Sequence, residues 1–485
     1  MLMKQMLAKQ LINFKTSAKS LMSNKLFYVL VFLTILVIPT LFFDWAVYIL
    51  FGMILVTVAI LPFEMGLSIL LYFYFFNLLF RVNDVPLYTV CFMISTSILL
   101  FKHYLQVILK NEKADFKLIL MILLAVIYTS LPIRGNSLGF SSISLLSIFY
   151  LIMFLSLIYL IYINRTKIDF LKVIQIVAIG ALVAAVFGAC YWISPRLQSL
   201  REWKTFSGSN VVRYNALFMN PNTLAGITLF VLAAVVYLIY SEKLKLFGYV
   251  LFSGVFVLGY STLSRQFLYA AIILVSIFTV AEIIKNKKQF YKKVIPILSI
   301  CAVVALLCFP MTKVQINRFS FKDLVQNYEG VTNIETQDPG RAGLFKLYFT
   351  DWTSNALTLF FGRGIMTEYL GVGLAPHNSF LEAFWMLGIV GVLVIVAIVL
   401  MFMSKFSQKS IWNSVKNAFK NPVTYILVIP CFAIMFVDCL FMNLHMYIAV
   451  TVMLVTICAN CKCANNKEAV TENIETIEEN EQKKI

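Results

Sequence analysis

Charge is what this chain has least of. Of its 485 residues, 13% are charged and 61% are hydrophobic, whereas a soluble domain carries about 25% charged residues. The shortage excludes an ordinary water-soluble domain. Short alternating segments of the β-barrel kind are lacking too; the apolar runs are long. Acidic residues number 23 against 40 Lys and Arg. No Gly-rich phosphate loop or aromatic nucleic-acid motif accompanies the net charge of +17, so no nucleic-acid partner is expected. We find no internal repeat and expect no cleavable signal peptide.

Cysteine is present but not arrayed. Most of the nine cysteines lie inside apolar runs, where a thiol packs as a small apolar group. Cys458, Cys461 and Cys463 gather at the end of the last run. A zinc site needs a fourth ligand, and none is at hand. The cluster reads as inert or as a lipidation site. No metal and no cofactor are expected.

What is there is a succession of apolar runs from Leu26 to Cys458. Each is close to the roughly 20 residues that a bilayer demands. We read spans near 26–43, 45–62, 65–80, 85–101, 116–133, 140–163, 170–193, 223–240, 244–260, 264–283, 294–310, 379–403, 423–438 and 445–461. The fold class is therefore all-α, a polytopic integral membrane helix bundle of about 14 transmembrane helices. Residues 1–25, with Lys4, Lys9, Lys15, Lys19 and Lys25, read as a basic amphipathic segment on the cytoplasmic surface. The transmembrane domain covers 26–463, and the acidic tail 464–485 reads as disordered.

Loop charges set the orientation. Basic residues crowd 102–117, 164–172, 241–246, 284–293 and 404–421, while the intervening short loops carry one or none. By the positive-inside rule both termini are cytoplasmic. Two long loops, 194–222 and 311–378, then fall outside, where basic residues are available for function.

Those outer residues are biased toward arginine: Arg201, Arg213, Arg265, Arg341 and Arg363. A guanidinium donates two hydrogen bonds at once to phosphate oxygens, so the cluster suggests an anionic lipid headgroup or a lipid-linked phosphate. Arg265 is the strongest alone, because a charge at a helix end in the membrane is costly without a task or a partner. For Arg201 and Arg363 a solvated loop charge is the competing reading. Asn220-Pro221-Asn222, just after Arg213, predicts a capped helix start.

Histidine is scarce, with three in the chain. His103 and His445 read as structural. His377 ends a glycine-rich loop, precedes Asn378 and stands one helical turn and more before Glu382. It is the side chain whose ordinary pKa suits proton transfer near neutral pH. Gly388 and Gly391 on the following helix permit close approach of a helix or a lipid, or serve ordinary packing.

Taken in order, these residues resemble a known family. His377-Asn378, nine residues, Gly388, two residues and Gly391 are similar to the signature of the O-antigen ligase and Wzy-type polysaccharide polymerase superfamily. Asn220-Pro221-Asn222, Thr262-Leu263-Ser264-Arg265 and Gly340-Arg341 stand in the same order as in that family. Thr262 departs mildly, since the family has Ser there. The resemblance covers about 190–460.

It implies a GT-C type membrane glycosyltransferase on the outer face of the cytoplasmic membrane, working without nucleotide sugar or metal. The donor would be a glycan on undecaprenyl pyrophosphate. The acceptor would be a second lipid-linked repeat unit, a lipid A core or a protein hydroxyl. We favour the polymerase, since nothing in the late loop points to a lipid A core. Implied partners are the lipid-linked donor and acceptor, membrane lipid, a chain-length regulator and a flippase. Arg265 and Arg341, with Arg213 as a third, would stabilise the departing pyrophosphate, and His377 would act as base. Asn220, Asn222, Asn378, Arg363 and Glu382 would contact substrate. The rival class is a lipid-linked sugar exporter. Against it, charges crowd the outer face and are nearly absent from the spans.

Overall fold

A computed structural model of the chain describes residues 25–83, 85–110, 119–120, 123, 142–165, 168–200, 211–244, 246–285, 287–318, 340–364, 378–407, 410–420, 424–428 and 447–457. The chain begins with α1 (Lys25–Ile35), α2 (Val37–Thr40), α3 (Asp44–Ile60) and α4 (Phe63–Phe73), the last tightening into a 3-10 turn at Tyr74–Phe80. A small antiparallel pair, β1 (Arg81–Val82) and β2 (Val85–Pro86), reverses it into α5 (Leu87–Lys110). Then follow α6 (Ser142–Ile163), α7 (Phe170–Ala189), α8 (Pro195–Leu200), α9 (Pro221–Tyr240), α10 (Leu246–Ser261), α11 (Arg265–Lys285) and α12 (Lys287–Leu307). The late part holds α13 (Phe309–Arg318), α14 (Gly340–Trp352), α15 (Ala356–Phe361), α16 (Ser379–Ser407) and α17 (Ile411–Lys420).

Seven described helices are long and apolar enough to cross a membrane, and five more apolar helices are shorter, at 10–17 residues. The chain is thus an all-α membrane protein. Two expected spans, 116–133 and 423–438, lie largely outside the described residues. So do residues 1–24, the tail 464–485, Cys458, Cys461, Cys463 and His445.

Helix α9 is the axis of the bundle. It is apolar on every side, which only a helix surrounded by protein or lipid tolerates. From Leu224 to Tyr240 every residue is buried, with α7, α10 and α11 packed around it. Peripheral helices do the reverse. Helix α3 exposes Trp45, Tyr48, Ile49, Val56 and Ile60, the last at 75%. Such a continuous apolar face is tolerable in lipid and a liability in water.

Buried polar ties hold the helix ends in register. At one end Arg196 of α8, 6% exposed, donates to the carbonyls of Thr40 (2.8 Å), Leu79 (3.1 Å) and Arg81 (2.6 Å), and its Nε pairs with Asp44. At the opposite, basic end, Lys293 Nζ donates to Tyr240 O (3.2 Å), Glu242 Oε1 (3.0 Å) and Glu282 Oε1 (3.1 Å). Glu282 is fully buried. Removing one partner of a buried pair costs about 3–5 kcal/mol, because the other charge stays buried. Lys293→Met should therefore lower stability by about that amount, read by SDS-induced unfolding in mixed micelles. Adding Glu282→Leu should recover most of the loss. An additive double variant would exclude the pairing as the cause.

Several segments expected as loops carry helix. Helix α5 continues to Lys110, past the expected end at 101. His103 is therefore buried inside a helix, with its ring 5.9 Å from that of Tyr159. Helix α12 begins at Lys287, inside the expected loop 284–293. The expected loop 311–378 contains α14, α15 and most of α13, and the expected loop 404–421 contains α17. Apolar length detects spans; helical turns that carry charge beyond the bilayer leave no such mark.

Candidate functional site

Segment 211–220 connects α8 toward α9 across the ends of α7, α10 and α11, and it is pinned along its length. Tyr214 N–H donates to Ser261 O (3.1 Å), and Tyr214 Oη donates to Ala185 O. Asn215 Nδ2 donates to Phe218 O (3.1 Å), and Leu217 O accepts from Leu78 N–H (2.9 Å). Gly188 of α7 allows the crossing: a Cβ there would stand 2.6 Å from Ala216 Cα. A backbone tied this firmly gives Arg213 a fixed position.

The Arg213 fork is then aimed by its own neighbours. Nε donates to Thr262 O (3.1 Å), and Nη2 donates to Asn222 Oδ1 (2.7 Å). Asn222 is in turn held by the cap of α9, where Asn220 Oδ1 accepts from Asn222 N–H (2.8 Å) and Pro221 fills the first helical position. Proline and asparagine are the residues such a start requires. Both described partners of Arg213 are neutral oxygens, so they orient the guanidinium without cancelling its charge.

A second cation stands beside it. The α10–α11 turn runs Ser261-Thr262-Leu263-Ser264, with Thr262 Oγ1 donating to Gly259 O (2.6 Å) and accepting from Ser264 N–H (3.2 Å). Leu263 is fully buried at φ +52°, a left-handed conformation that a branched side chain adopts at a cost. The turn delivers Arg265 to the first position of α11, a 21-residue helix. Burial first, and Arg265 second, lower the pKa of Arg213 from its ordinary value. Arg213 holds the Thr262 carbonyl, three residues before Arg265, so the two cations are neighbours at this turn. Ser264 Oγ is buried and lacks a hydrogen-bond partner among the described residues. Two like charges, a helix start with its positive dipole end and a spare hydroxyl together suit an anion with several oxygens.

The second set of expected residues lies on α14–α16. Helix α16 starts at the Asn378 cap, whose Oδ1 accepts from Phe380 N–H (3.0 Å) and Leu381 N–H (2.9 Å). Glu382, 1% exposed, follows in the same turn, with its N–H on Asn378 O (2.9 Å). His377 and Arg201 lie outside the described residues. Arg341 falls in the first turn of α14, and its side chain is not among those described.

Helix α16 is broken at Gly388, which has φ +64° and ψ −178°. The carbonyls of Trp385 and Met386, freed by the break, accept from Arg363 N–H (2.8 Å) and Gly364 N–H (2.7 Å). Inside a membrane such carbonyls must be satisfied by protein. Gly362 and Gly388 meet backbone to backbone, so the close approach read from the sequence at Gly388 is that of the 360–362 chain.

Arg363 has a definite attachment. Its Nε and Nη2 donate to Asp351 Oδ2 (3.0 Å) and Oδ1 (2.5 Å), and Trp385 Nε1 donates to Asp351 Oδ2 (2.7 Å). This clamp fastens α14 and the 362–364 chain to α16. Asp351 is one of six acidic residues in 311–378, and nothing in the sequence marks it, or Trp385, as part of a clamp. Asp351→Asn should cost about 3 kcal/mol, and Arg363→Lys should fail to substitute, because an ammonium has no two-pronged fork. SDS unfolding reads both; a wild-type curve for Arg363→Lys would refute the fork.

Comparison of the sequence with protein-family models and with curated proteins gave no match.

Proposed function

We propose that the chain is a metal-independent glycosyltransferase that joins undecaprenyl-pyrophosphate-linked repeat units into a surface polysaccharide, O-antigen or capsule. It is a GT-C type enzyme of about 14 spans, set in the cytoplasmic membrane with its site facing outward. One observation carries the reading: Arg213, oriented by neutral oxygens, stands beside Arg265 at the start of α11. Two guanidiniums side by side suit the charge and the oxygens of a pyrophosphate.

The reaction forms a bond from the acceptor hydroxyl oxygen to the anomeric carbon. The bond from that carbon to the phosphate oxygen breaks, and its electron pair leaves on the lipid pyrophosphate. The charge on that leaving group grows in the transition state, so Arg213 and Arg265 bind the transition state more strongly than the bound donor. Arg341 is the third candidate for this task. His377 takes the acceptor proton, and attack opposite the leaving group inverts the anomeric centre. Asn222 and Asn220 act through Arg213. Asn378 fixes the helix start next to His377, and Glu382 meets the acceptor. Arg363 we assign to the clamp with Asp351.

The acceptor is the choice most open to test. A ligase would use the same residues with a lipid A core or a protein hydroxyl. Export of the lipid-linked glycan is the reading from another class. The broken helix at Gly388 favours it, since discontinuous spans recur in transporters.

The test is purified protein with a synthetic undecaprenyl-pyrophosphate repeat unit, the products separated on a gel, wild type beside His377→Ala. A ladder from wild type alone supports the polymerase and the base. A ladder from both removes His377 from the chemistry. An unreacted band from folded wild type rejects the polymerase, and movement of intact donor across a proteoliposome then marks the exporter.

A further inference from the structure

Ten residues that read as part of a basic loop form a helix instead. Helix α17, Ile411–Lys420, begins four residues after the membrane-crossing α16 ends at Ser407, and it packs against that helix. Its sequence divides the circumference into three arcs. At 100° per residue, Ser414 falls on one side. It is 4% exposed, and it turns that side to protein. Its N–H and hydroxyl both donate to Ser410 O, each at 2.9 Å, which locks the first turn.

The other two arcs hold exposed side chains among those described, and they differ in chemistry. Ile411 and Trp412 are adjacent and exposed, at 48% and 75%. Asn413, Lys416, Asn417 and Lys420 are exposed on the remaining side. A soluble surface rarely presents an exposed tryptophan and isoleucine together. Tryptophan and lysine on neighbouring arcs of a short helix match the boundary between acyl chains and headgroups. The helix is also about 15 Å long at 1.5 Å per residue, too short to cross a bilayer and suited to lying along one.

We propose that α17 lies in the plane of the membrane and binds an anionic lipid surface. Trp412 and Ile411 enter the headgroup–acyl boundary, and Lys416 and Lys420 lie against lipid phosphates. Charge complementarity selects anionic over zwitterionic lipid, as it does for other basic segments beside a membrane. The site is at the opposite end of α16 from Asn378 and is independent of the glycosyltransferase reading.

The test uses the full chain reconstituted into vesicles of phosphatidylcholine, or of equal parts phosphatidylcholine and phosphatidylglycerol. The wild-type emission spectrum minus that of Trp412→Phe isolates Trp412. We expect this difference to be blue-shifted, quenched by lipids brominated near the headgroup, and poorly quenched by aqueous acrylamide. Phosphatidylglycerol should strengthen the bromolipid quenching, and Lys416→Gln with Lys420→Gln should abolish that increment. Quenching by acrylamide and not by bromolipid would place Trp412 in water and overturn the proposal. Quenching by neither would show that protein covers it, which overturns the lipid assignment as well. Equal quenching in both vesicle types would refute the anionic preference.

Discussion

Arg265→Ala should lower the rate of glycan transfer by about 10²–10³, the cost of deleting one preorganised donor to a developing anion. Arg265 contributes to the lowered basicity of Arg213, so the two charges oppose one another in the empty protein. Removing Arg265 takes away part of the positive charge that binds the leaving group. For a purely structural arginine, such as Arg196 with its three carbonyl acceptors, the first effect of substitution is on stability. The loss should fall mainly on kcat, since the leaving-group charge develops only as the glycosyl bond breaks. Arg213→Lys should produce a similar but smaller defect, because an ammonium cannot hold Thr262 O and Asn222 Oδ1 and still offer a flat fork. Combining Arg213→Lys with Arg265→Ala should give less than the product of the single losses, since both act on one leaving group. Near-normal transfer by a folded Arg265→Ala protein would end the leaving-group assignment.

The capped start of α9 was legible in the sequence, and for a physical reason. Asn220-Pro221-Asn222 is a local signal, and its geometry depends on neighbours within a few residues. Arg265 stands at a change from polar turn to apolar run, which marks a helix start without tertiary knowledge. That Arg213 reaches Thr262 across the bundle is a tertiary fact, and nothing in the spacing of residues 213 and 262 encodes it. That the chain is a helical membrane protein was legible because apolar length is itself the determinant of crossing a bilayer. The helical content of 340–361 was not. Its helices are short, of mixed polarity, and held by Asp351, Trp385 and the Gly362–Gly388 contact. Arg363 illustrates the difference. From the sequence it was one more outer arginine, and only its distance to Asp351 assigns it to the clamp. Helix α17 was hidden for the opposite reason: its lysines satisfied a loop-charge rule that takes no account of conformation.

Gly388→Ala should be among the most damaging single-methyl additions at the described glycines. At φ +64° and ψ −178° the backbone occupies a region that is essentially reserved for glycine, worth roughly 1–3 kcal/mol of strain for any other residue. The added Cβ would also stand 2.4 Å from Phe360 C and O and 2.5 Å from Gly362 N. Those are backbone atoms and cannot rotate away. Gly362 faces the same restriction in return, at φ +71° with Met386 O 2.4 Å from its own missing Cβ. Relief therefore requires the 360–364 chain to leave α16, and Trp385 O and Met386 O then lose the N–H groups of Arg363 and Gly364. Each buried carbonyl left unsatisfied costs about 1–3 kcal/mol. Together with the strain, a loss of at least about 4 kcal/mol is expected, read by SDS unfolding. Gly52→Ala is the matching control. It lies inside α3 with nothing within 4 Å of its missing Cβ, so alanine there should be neutral or stabilising by about 0.5–1 kcal/mol. Amide exchange separates the cause from general damage: Arg363 and Gly364 should lose protection in Gly388→Ala before the α9 core does. If those two amides stay protected and the unfolding curve is unmoved, the break in α16 does not depend on the glycine contact. The Gly388 position would then reflect helix packing alone.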